Sequence, residues 1–344
     1  MKLVFRADAS RVIGSGHVMR CLSLAQELRR RGAAVQFICA DQPGAIPHII
    51  RAQGFECTMI PDDPAGDPVA TLAAISAERA DWLVVDHYGR DRAYERAIRP
   101  AVRHLMVIDD LADRSHDCDV LLDATEFTNP TERYAGLLPA GTRLLTGLRW
   151  ALLNDTFRQI RQAISRRPGP VRRLLVTFGA NDPLGITLRV ARLLARPKYA
   201  TLDVDLLGGV SNPLEPEVAR TVANVAHIDY AAFNDRLPYL MVAADLALGA
   251  AGTTTWERCA LGLPSLIVLL ADNQIGVSAC VERLGAARVL GMADTLSDAT
   301  IEAAIDTALV DEKWRMGAAF AGMRAVDALG IHRVADGLLE GRWA

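Results

Sequence analysis

A histidine that closes a glycine-rich turn and opens a helix is the group in this sequence most suited to proton transfer. The segment Asp8-Ala9-Ser10-Arg11-Val12-Ile13-Gly14-Ser15-Gly16-His17 follows an apolar run, Leu3 to Arg6, and precedes an amphipathic stretch, His17 to Arg31. Gly14 and Gly16 let the backbone turn tightly and approach a ligand with no Cβ in the way. The helix start behind them offers N–H groups and a positive dipole end, a combination that attracts phosphate. That same dipole disfavours an imidazolium at His17 and leaves a neutral ring able to act as a general base. The plainer alternative is that His17 caps the helix or donates to a loop carbonyl. A Gly-x-Gly after a first strand also begins a dinucleotide fingerprint, but Met19 stands where the third glycine is needed, which argues against NAD. Arg20 lies off the apolar stripe of Val18, Cys21, Leu22, Ala25 and Leu28, so it can reach either a phosphate or an acidic neighbour.

A second loop of the same kind is Leu248-Gly249-Ala250-Ala251-Gly252-Thr253-Thr254-Thr255-Trp256-Glu257. Thr253, Thr254 and Thr255 can donate to diphosphate oxygens alongside helix N–H groups, supplying stabilisation without lysine or metal; otherwise they only cap the helix. Glu257 is spaced to accept hydrogen bonds from a vicinal diol such as a ribose presents, or to serve as a capping-box partner. Asp272-Asn273-Gln274 follows the next apolar run, and the amides of Asn273 and Gln274 suit sugar hydroxyls or acetamido groups. Phe178-Gly179-Ala180-Asn181-Asp182-Pro183 makes a third loop, in which Gly179 can bring backbone to a phosphate, while Asn181 and Asp182 can equally just form the turn. Asp86 and the pair Asp109-Asp110 end apolar runs; strand-end aspartates in α/β proteins are more often caps and loop organisers than metal ligands or paired glycosidase carboxylates, so no metal is expected.

These loops need an alternating α/β framework. Apolar runs at Leu3 to Arg6, Val35 to Cys39, Trp82 to Asp86, Leu105 to Asp109 and Val120 to Asp123 alternate with helical stretches, and a second series runs through Leu174 to Phe178, Val204 to Leu207, Val225 to Ile228, Asp245 to Leu248 and Leu266 to Leu270. The pattern predicts two doubly wound α/β domains with parallel sheets, whose loops meet ligand at the carboxyl ends of the strands. The expected division is a domain over 1–150, a linker over 151–170 around the basic stretch containing Pro168, a second domain over 171–325, and a C-terminal helix over 326–344 that can pack back on the first. Ser297 is a helix N-cap candidate ahead of Ile301, Ala304, Ile305 and Leu309.

At 344 residues, with 51% apolar and 23% charged residues, two compact domains are expected rather than disorder. Lysine and arginine (38) nearly balance aspartate and glutamate (41), which advertises neither a nucleic-acid nor a membrane surface. The six cysteines are scattered without a Cys-x-x-Cys pair, against a zinc site or a disulfide framework and in favour of a reducing cytoplasm. Neither a signal peptide nor a membrane-spanning run is expected. A monomer is expected, with a weak dimer as the alternative.

Several separated motifs together resemble the UDP-sugar hydrolases of pseudaminic acid biosynthesis, over essentially the whole chain. They are Arg6-Ala7-Asp8 with Ile13 to Cys21, Asp86-His87-Tyr88-Gly89, Phe178-Gly179 with Asp182-Pro183, Gly249 to Glu257, and Asp272-Asn273-Gln274; Ala180 and Ala251 stand where glycine is expected. The resemblance implies a B-type glycosyltransferase fold, two Rossmann-like domains facing across a cleft. It implies metal-independent, cofactor-free attack of water at the anomeric carbon of a UDP-linked 2,4-diacetamido-2,4,6-trideoxy sugar. His17 would be the catalytic group and Tyr88 would orient it or the water; Thr253 to Thr255 and Glu257 would take the diphosphate and ribose. Gly14, Gly16, Arg20, Asp86, Gly179, Asn181, Asn273 and Gln274 complete the expected substrate site. The alternatives on this scaffold are a glycosyltransferase, a UDP-sugar 2-epimerase and a non-catalytic nucleotide-sugar binder.

Overall fold

The computed structural model describes residues 1–75, 79–127, 129–164, 169–209, 212–234 and 236–343. The chain divides into two compact units, residues 1–155 with 328–344, and residues 156–327. The first unit runs β1 (Lys2–Ala7), α1 (Gly16–Arg30), β2 (Ala34–Ala40), α2 (Pro47–Ala52), β3 (Glu56–Ile60), α3 (Asp67–Ala74), β4 (Ala80–Asp86), α4 (Arg92–Ile98), β5 (Val102–Ile108), β6 (Val120–Asp123), α5 (Pro130–Arg133) and β7 (Arg143–Thr146). After α6 (Asp155–Ala163), the second runs β8 (Arg173–Thr177), α7 (Ile186–Leu194), β9 (Asp203–Leu207), α8 (Glu215–Val222), β10 (Ile228–Ala231), α9 (Leu237–Ala243), β11 (Leu246–Ala250), α10 (Thr254–Ala260), β12 (Ser265–Leu269), α11 (Ile275–Arg283), β13 (Ala287–Met292), α12 (Asp298–Val310) and α13 (Glu312–Ala325). Helix α14 (Gly330–Glu340) then returns to the first unit.

Both sheets are parallel throughout. Their strand orders are β3-β2-β1-β4-β5-β6-β7 and β10-β9-β8-β11-β12-β13. In each, the winding reverses beside the unit's first strand, between β1 and β4 and between β8 and β11. At such a reversal the loops leaving two neighbouring strands part to opposite faces and open a crevice at the strands' carboxyl ends. Register sets Ala7 beside Asp86 at the first reversal and Thr177 beside Gly249 at the second.

The central strands read as unbroken apolar runs because both faces are covered. Alternate residues of β1 enter different cores: Leu3, Phe5 and Ala7 pack under α1 and α14, whereas Val4 joins Leu83, Val85 and Val107 on the opposite face. The stripe expected on α1, Val18, Cys21, Leu22, Ala25 and Leu28, is buried, together with Leu24. Helix α14 fills the rest of that layer with Ile331, Val334, Ala335 and Leu338. Polar clasps hold it there: Arg31 pairs with Asp336, and His332 bridges Glu27 at 3.0 Å and Asp155 at 2.7 Å.

One sequence expectation needs correction. Val225, expected in a strand, belongs to the turn after α8, its N–H donating to Val222 O at 2.9 Å; the strand starts only at Ile228 because the apolar run there covers a helix end and the first residue of an edge strand. The span expected as a linker, 151–170, contains the division between the two units and also α6, which buries Phe157, while Arg161 donates to the carbonyls of Ala260 and Met323 at the ends of α10 and α13. Carbonyls at helix ends lack intrahelical donors and draw in a cation. Residues 165–168, including Pro168, lie outside the described residues. Ser297 caps α12 as expected, its Oγ accepting from Thr300 N at 3.1 Å. Among the described residues no helix is long and apolar enough to cross a membrane.

Leu338 is fully enclosed between α14 and α1. Leu338→Ala should cost about 2–5 kcal/mol of the first unit's stability through lost burial and the cavity left behind; a denaturant titration followed by tryptophan fluorescence measures it, and a midpoint equal to wild type would contradict this packing.

Candidate active site

The turn between β1 and α1 is built by its own short-range bonds. Ser10 N and O exchange bonds with Gly14 O and N at 3.3 and 2.9 Å, and Ser10 Oγ accepts from Val12 N and Ile13 N, both at 3.2 Å. Gly14 closes this turn at φ +73°, a conformation that side-chain-bearing residues rarely adopt. Ser15 then leaves α1 without a side-chain cap, and its first turn holds no acidic residue. The N–H groups of the helix start therefore receive no carboxylate from the helix's own first turn.

His17, Arg20 and Cys21 sit at helical positions i, i+3 and i+4, so one face of α1 meets the carboxylate of Asp86 at the end of β4. His17 Nδ1 lies 2.6 Å from Asp86 Oδ1; Arg20 Nε and Nη2 donate to Asp86 Oδ2 and Oδ1, each at 2.6 Å; Cys21 Sγ donates to Oδ2 at 3.5 Å. Burial alone would raise the Asp86 carboxyl, but Arg20 and then His17 outweigh it and hold it well below the usual carboxylate range. The neighbouring carboxylate fixes the imidazole tautomer. Arg20 Nη2 also approaches Nδ1, at 3.3 Å, but Nδ1 cannot both accept from Arg20 and donate to Asp86. The shorter contact to an ionised acceptor decides for Nδ1–H, so in the neutral ring the lone pair lies on Nε2. The ring of Tyr88 packs edge-on against His17 with centroids 4.5 Å apart.

The loop carrying Tyr88 is pinned from beneath. Gly89 N donates to His87 Nδ1 at 2.8 Å, so the proton of His87 resides on Nε2, which faces Asp8 Oδ2 at 3.2 Å. Burial pushes His87 down, in keeping with that neutral ring. Asp8 also takes Arg6 and Ala40 N, and Arg6 and Arg90 share Asp67. Asp8, His87 and Tyr88 fall within motifs visible in the sequence, but Asp67 and Arg90 carry no local signal, because their partners are 61 and 23 residues away.

Asp110 Oδ2 accepts from Arg20 Nη1 at 3.1 Å, so Arg20, expected to reach a phosphate or an acidic neighbour, pairs with two carboxylates. Asp86, expected at the substrate site, is wholly buried and holds the His17 ring. Asp109 organises its loop through Ala112 N at 2.9 Å and Arg114 at 2.8 Å. Among the described residues no group of three or more His, Cys, Asp or Glu side chains is arranged to hold a metal ion.

In the second unit, Thr253 and Thr254 lie half-buried where the loop after β11 enters α10, and Thr253 makes no side-chain cap bond. Thr255 is turned inward. It is buried, its Oγ1 donating to Ala250 O at 3.4 Å and accepting from Arg258 Nη2 at 3.1 Å. Arg258 has no counterpart among the expected residues. It is 1% exposed, and its Nη2 also donates to Ala250 O at 2.8 Å, while Nε and Nη1 have no partner. Burial pushes its guanidinium down to about 10 and pushes the Glu257 carboxyl up to about 7. Glu257 Oε2 is likewise buried and unpartnered. Gly249 is required here, since a Cβ would stand 2.5 Å from Thr177 O and 2.6 Å from Arg258 Nη1.

The loop after β8 turns at Gly179 with φ +94° and passes Asn181 to Asp182, whose carboxylate caps α7 by accepting from Ile186 N at 3.1 Å and Thr187 N at 2.6 Å. Asn273 is exposed after β12; the amide oxygen of Gln274 instead accepts from Leu270 N at 2.9 Å and fixes the strand end. The structure thus gathers Gly14, Gly16, His17, Arg20, Asp86 and Tyr88 at the reversal of the first sheet. Gly179, Asn181, Thr253, Thr254, Glu257, Asn273 and Gln274 lie along the carboxyl edge of the second.

No protein-family model matches the chain. It is 26% identical over 204 residues to the UDP-2,4-diacetamido-2,4,6-trideoxy-beta-L-altropyranose hydrolase of Campylobacter jejuni, a match covering 59% of this chain and 69% of that protein. It is 21% identical over 331 residues to the spore coat polysaccharide biosynthesis protein SpsG of Bacillus subtilis, covering 95% of each. Among solved structures, MurG of Acinetobacter baumannii superposes with a TM-score of 0.68 at 15% identity, over 98% of this chain and 99% of that one. The UDP-GlcNAc 2-epimerase of Neisseria meningitidis, bound to UDP-GlcNAc, gives 0.61 at 14% identity, over 99% and 100%. These structural likenesses carry the fold alone. In fold the chain is of the B-type glycosyltransferase class, with a Rossmann-like sheet in each unit, and in sequence it is similar to the diacetamido-trideoxy-altropyranose UDP-sugar hydrolase.

Proposed function

We propose that this chain hydrolyses a UDP-linked 2,4-diacetamido-2,4,6-trideoxy sugar, with His17 as the general base. The observation that carries the reading is the His17–Asp86 pair at the reversal of the first sheet. With Nδ1–H held by a carboxylate, Nε2 accepts a proton from water as the water oxygen attacks the anomeric carbon and the bond from that carbon to the diphosphate oxygen breaks. The products are the free reducing sugar and UDP, and the proton on His17 passes to solvent. Arg20 carries one positive charge against the two negative charges of Asp86 and Asp110, so an imidazolium at His17 is stabilised as it forms. Tyr88 keeps the ring in plane for that transfer. The hydroxyls of Thr253 and Thr254 and the backbone of their loop meet the departing diphosphate, and Glu257 takes the ribose diol. No step requires a metal.

Similarity to the Campylobacter jejuni hydrolase supports the substrate class, and the resemblance in sequence motifs implies a step in nonulosonic (pseudaminic) acid assembly. All six thiols are buried and outside disulfides, which supports a cytoplasmic setting.

His17→Ala should lose about 10²- to 10⁴-fold in turnover while UDP affinity stays near wild type. Proton NMR of the anomeric signals, with the UDP-sugar and no acceptor, measures the first and calorimetry the second; near-normal hydrolysis by the variant would sink the assignment. Asp86→Asn tests the partner. Because Asp86 lies below its ordinary value, its ionised form adds stability at pH above about 4, and that contribution is lost as pH falls further. The wild-type thermal midpoint should therefore drop from pH 5 towards pH 3 more steeply than that of the asparagine variant, which starts about 3–5 kcal/mol less stable; parallel curves would contradict the pairing.

A further inference from the structure

Arg258 is a buried cation with too few partners. Its guanidinium is 1% exposed, yet only Nη2 is bonded, to Ala250 O and Thr255 Oγ1, and no carboxylate forms an ion pair with it among the described residues. A buried charge left in this state is costly, and cores normally supply a counter-charge or exchange the residue for an apolar one. Its place in the fold gives the reason for keeping it. Nη1 lies against Gly249, opposite Thr177 O, so the guanidinium underlies the carboxyl ends of β8 and β11, where the second sheet reverses and the loops from Gly179 and from Ala250 to Thr254 emerge. One residue before it, Glu257 has a buried oxygen that is also unpartnered.

We propose that Arg258 is the built-in counter-charge for a diphosphate seated on the loop Gly249 to Thr254, acting through that loop as a positioning residue. This rests on the nucleotide reading above. The guanidinium does two things there. It fixes the carbonyl of Ala250 and the hydroxyl of Thr255 inward, so that the loop's N–H groups turn outward. Its unneutralised charge, in surroundings of low polarity, acts on an anion across one layer of backbone. The same residue therefore weakens the ligand-free protein and strengthens the complex.

The test uses the full-length chain and calorimetry with UDP, uridine and inorganic pyrophosphate. Arg258→Met should weaken UDP and pyrophosphate about tenfold or more while uridine changes by less than about twofold; its ligand-free thermal midpoint should equal or exceed wild type, and the UDP-induced rise should shrink. Arg258→Lys, which keeps the charge, should retain most of the UDP affinity, whereas Arg258→Gln, which keeps a donor but not the charge, should not. Equal losses for UDP and uridine, or a glutamine variant that binds UDP like wild type, would overturn the proposal by reducing Arg258 to a structural role. Wild type that binds pyrophosphate but neither UDP nor uridine would end the nucleotide reading and leave the anion site standing. Wild type that binds none of the three would end both.

Discussion

A wholly buried carboxylate, Asp86, sets the terms for the first unit. In an apolar surround a lone carboxylate would take up a proton rather than stay charged, so its ionised form requires donors on both oxygens. The first turn and a half of α1 supplies them, because residues one helical turn apart share a face: His17, Arg20 and Cys21 converge on Asp86 while Met19 between them points to solvent. That convergence fixes the angle at which α1 leaves the glycine turn, the tautomer of His17, and the seat of Arg20 between Asp86 and Asp110. Had Asp86 ended its strand one residue earlier, its side chain would have met the other face of the sheet.

The second unit solves the inverse problem incompletely. There the buried charge is a guanidinium, and the backbone carbonyl and the hydroxyl that meet it are neutral. Both oxygens of the first buried charge therefore meet donors, whereas two nitrogens of the second meet no acceptor. Satisfied polar networks rigidify and unsatisfied ones store a demand for a partner. The contrast suits a rigid proton-transferring ring in one unit and an anion seat in the other.

Much of the fold was legible in the sequence because strands buried on both faces must be apolar throughout: β1, β4, β5, β6, β8, β11 and β12 each show such a run. The edge strands β3, β7 and β13 did not, since half of each faces solvent or a helix end and polar residues such as Glu56, Arg143 and Arg288 break the run. The cap at Ser297 and the stripe of α1 were readable from local rules alone. Within the candidate site, the location of His17 and of both glycine loops followed from the order of strand, turn and helix. The facing of Thr255 did not, because it depends on Arg258, a residue that local patterning would assign to a solvated helix face. Nor did the bond between Asp8 and His87, which joins segments 79 residues apart and is fixed only when β1 and β4 lie side by side.

The return of α14 to the first unit bears on how the molecule is made. The layer over β1 is lined by helices that precede and follow the whole of the second unit in sequence. During synthesis the segment up to residue 155 emerges with one flank of its sheet uncovered, and the apolar groups that seal it, Ile331 and Val334 among them, come off the ribosome only after the whole of the second unit. The second unit is contiguous and can complete its own core first. The earlier-made half must therefore wait, partly exposed, for α14, so exposure to chaperones and to aggregation falls on the part that carries the histidine.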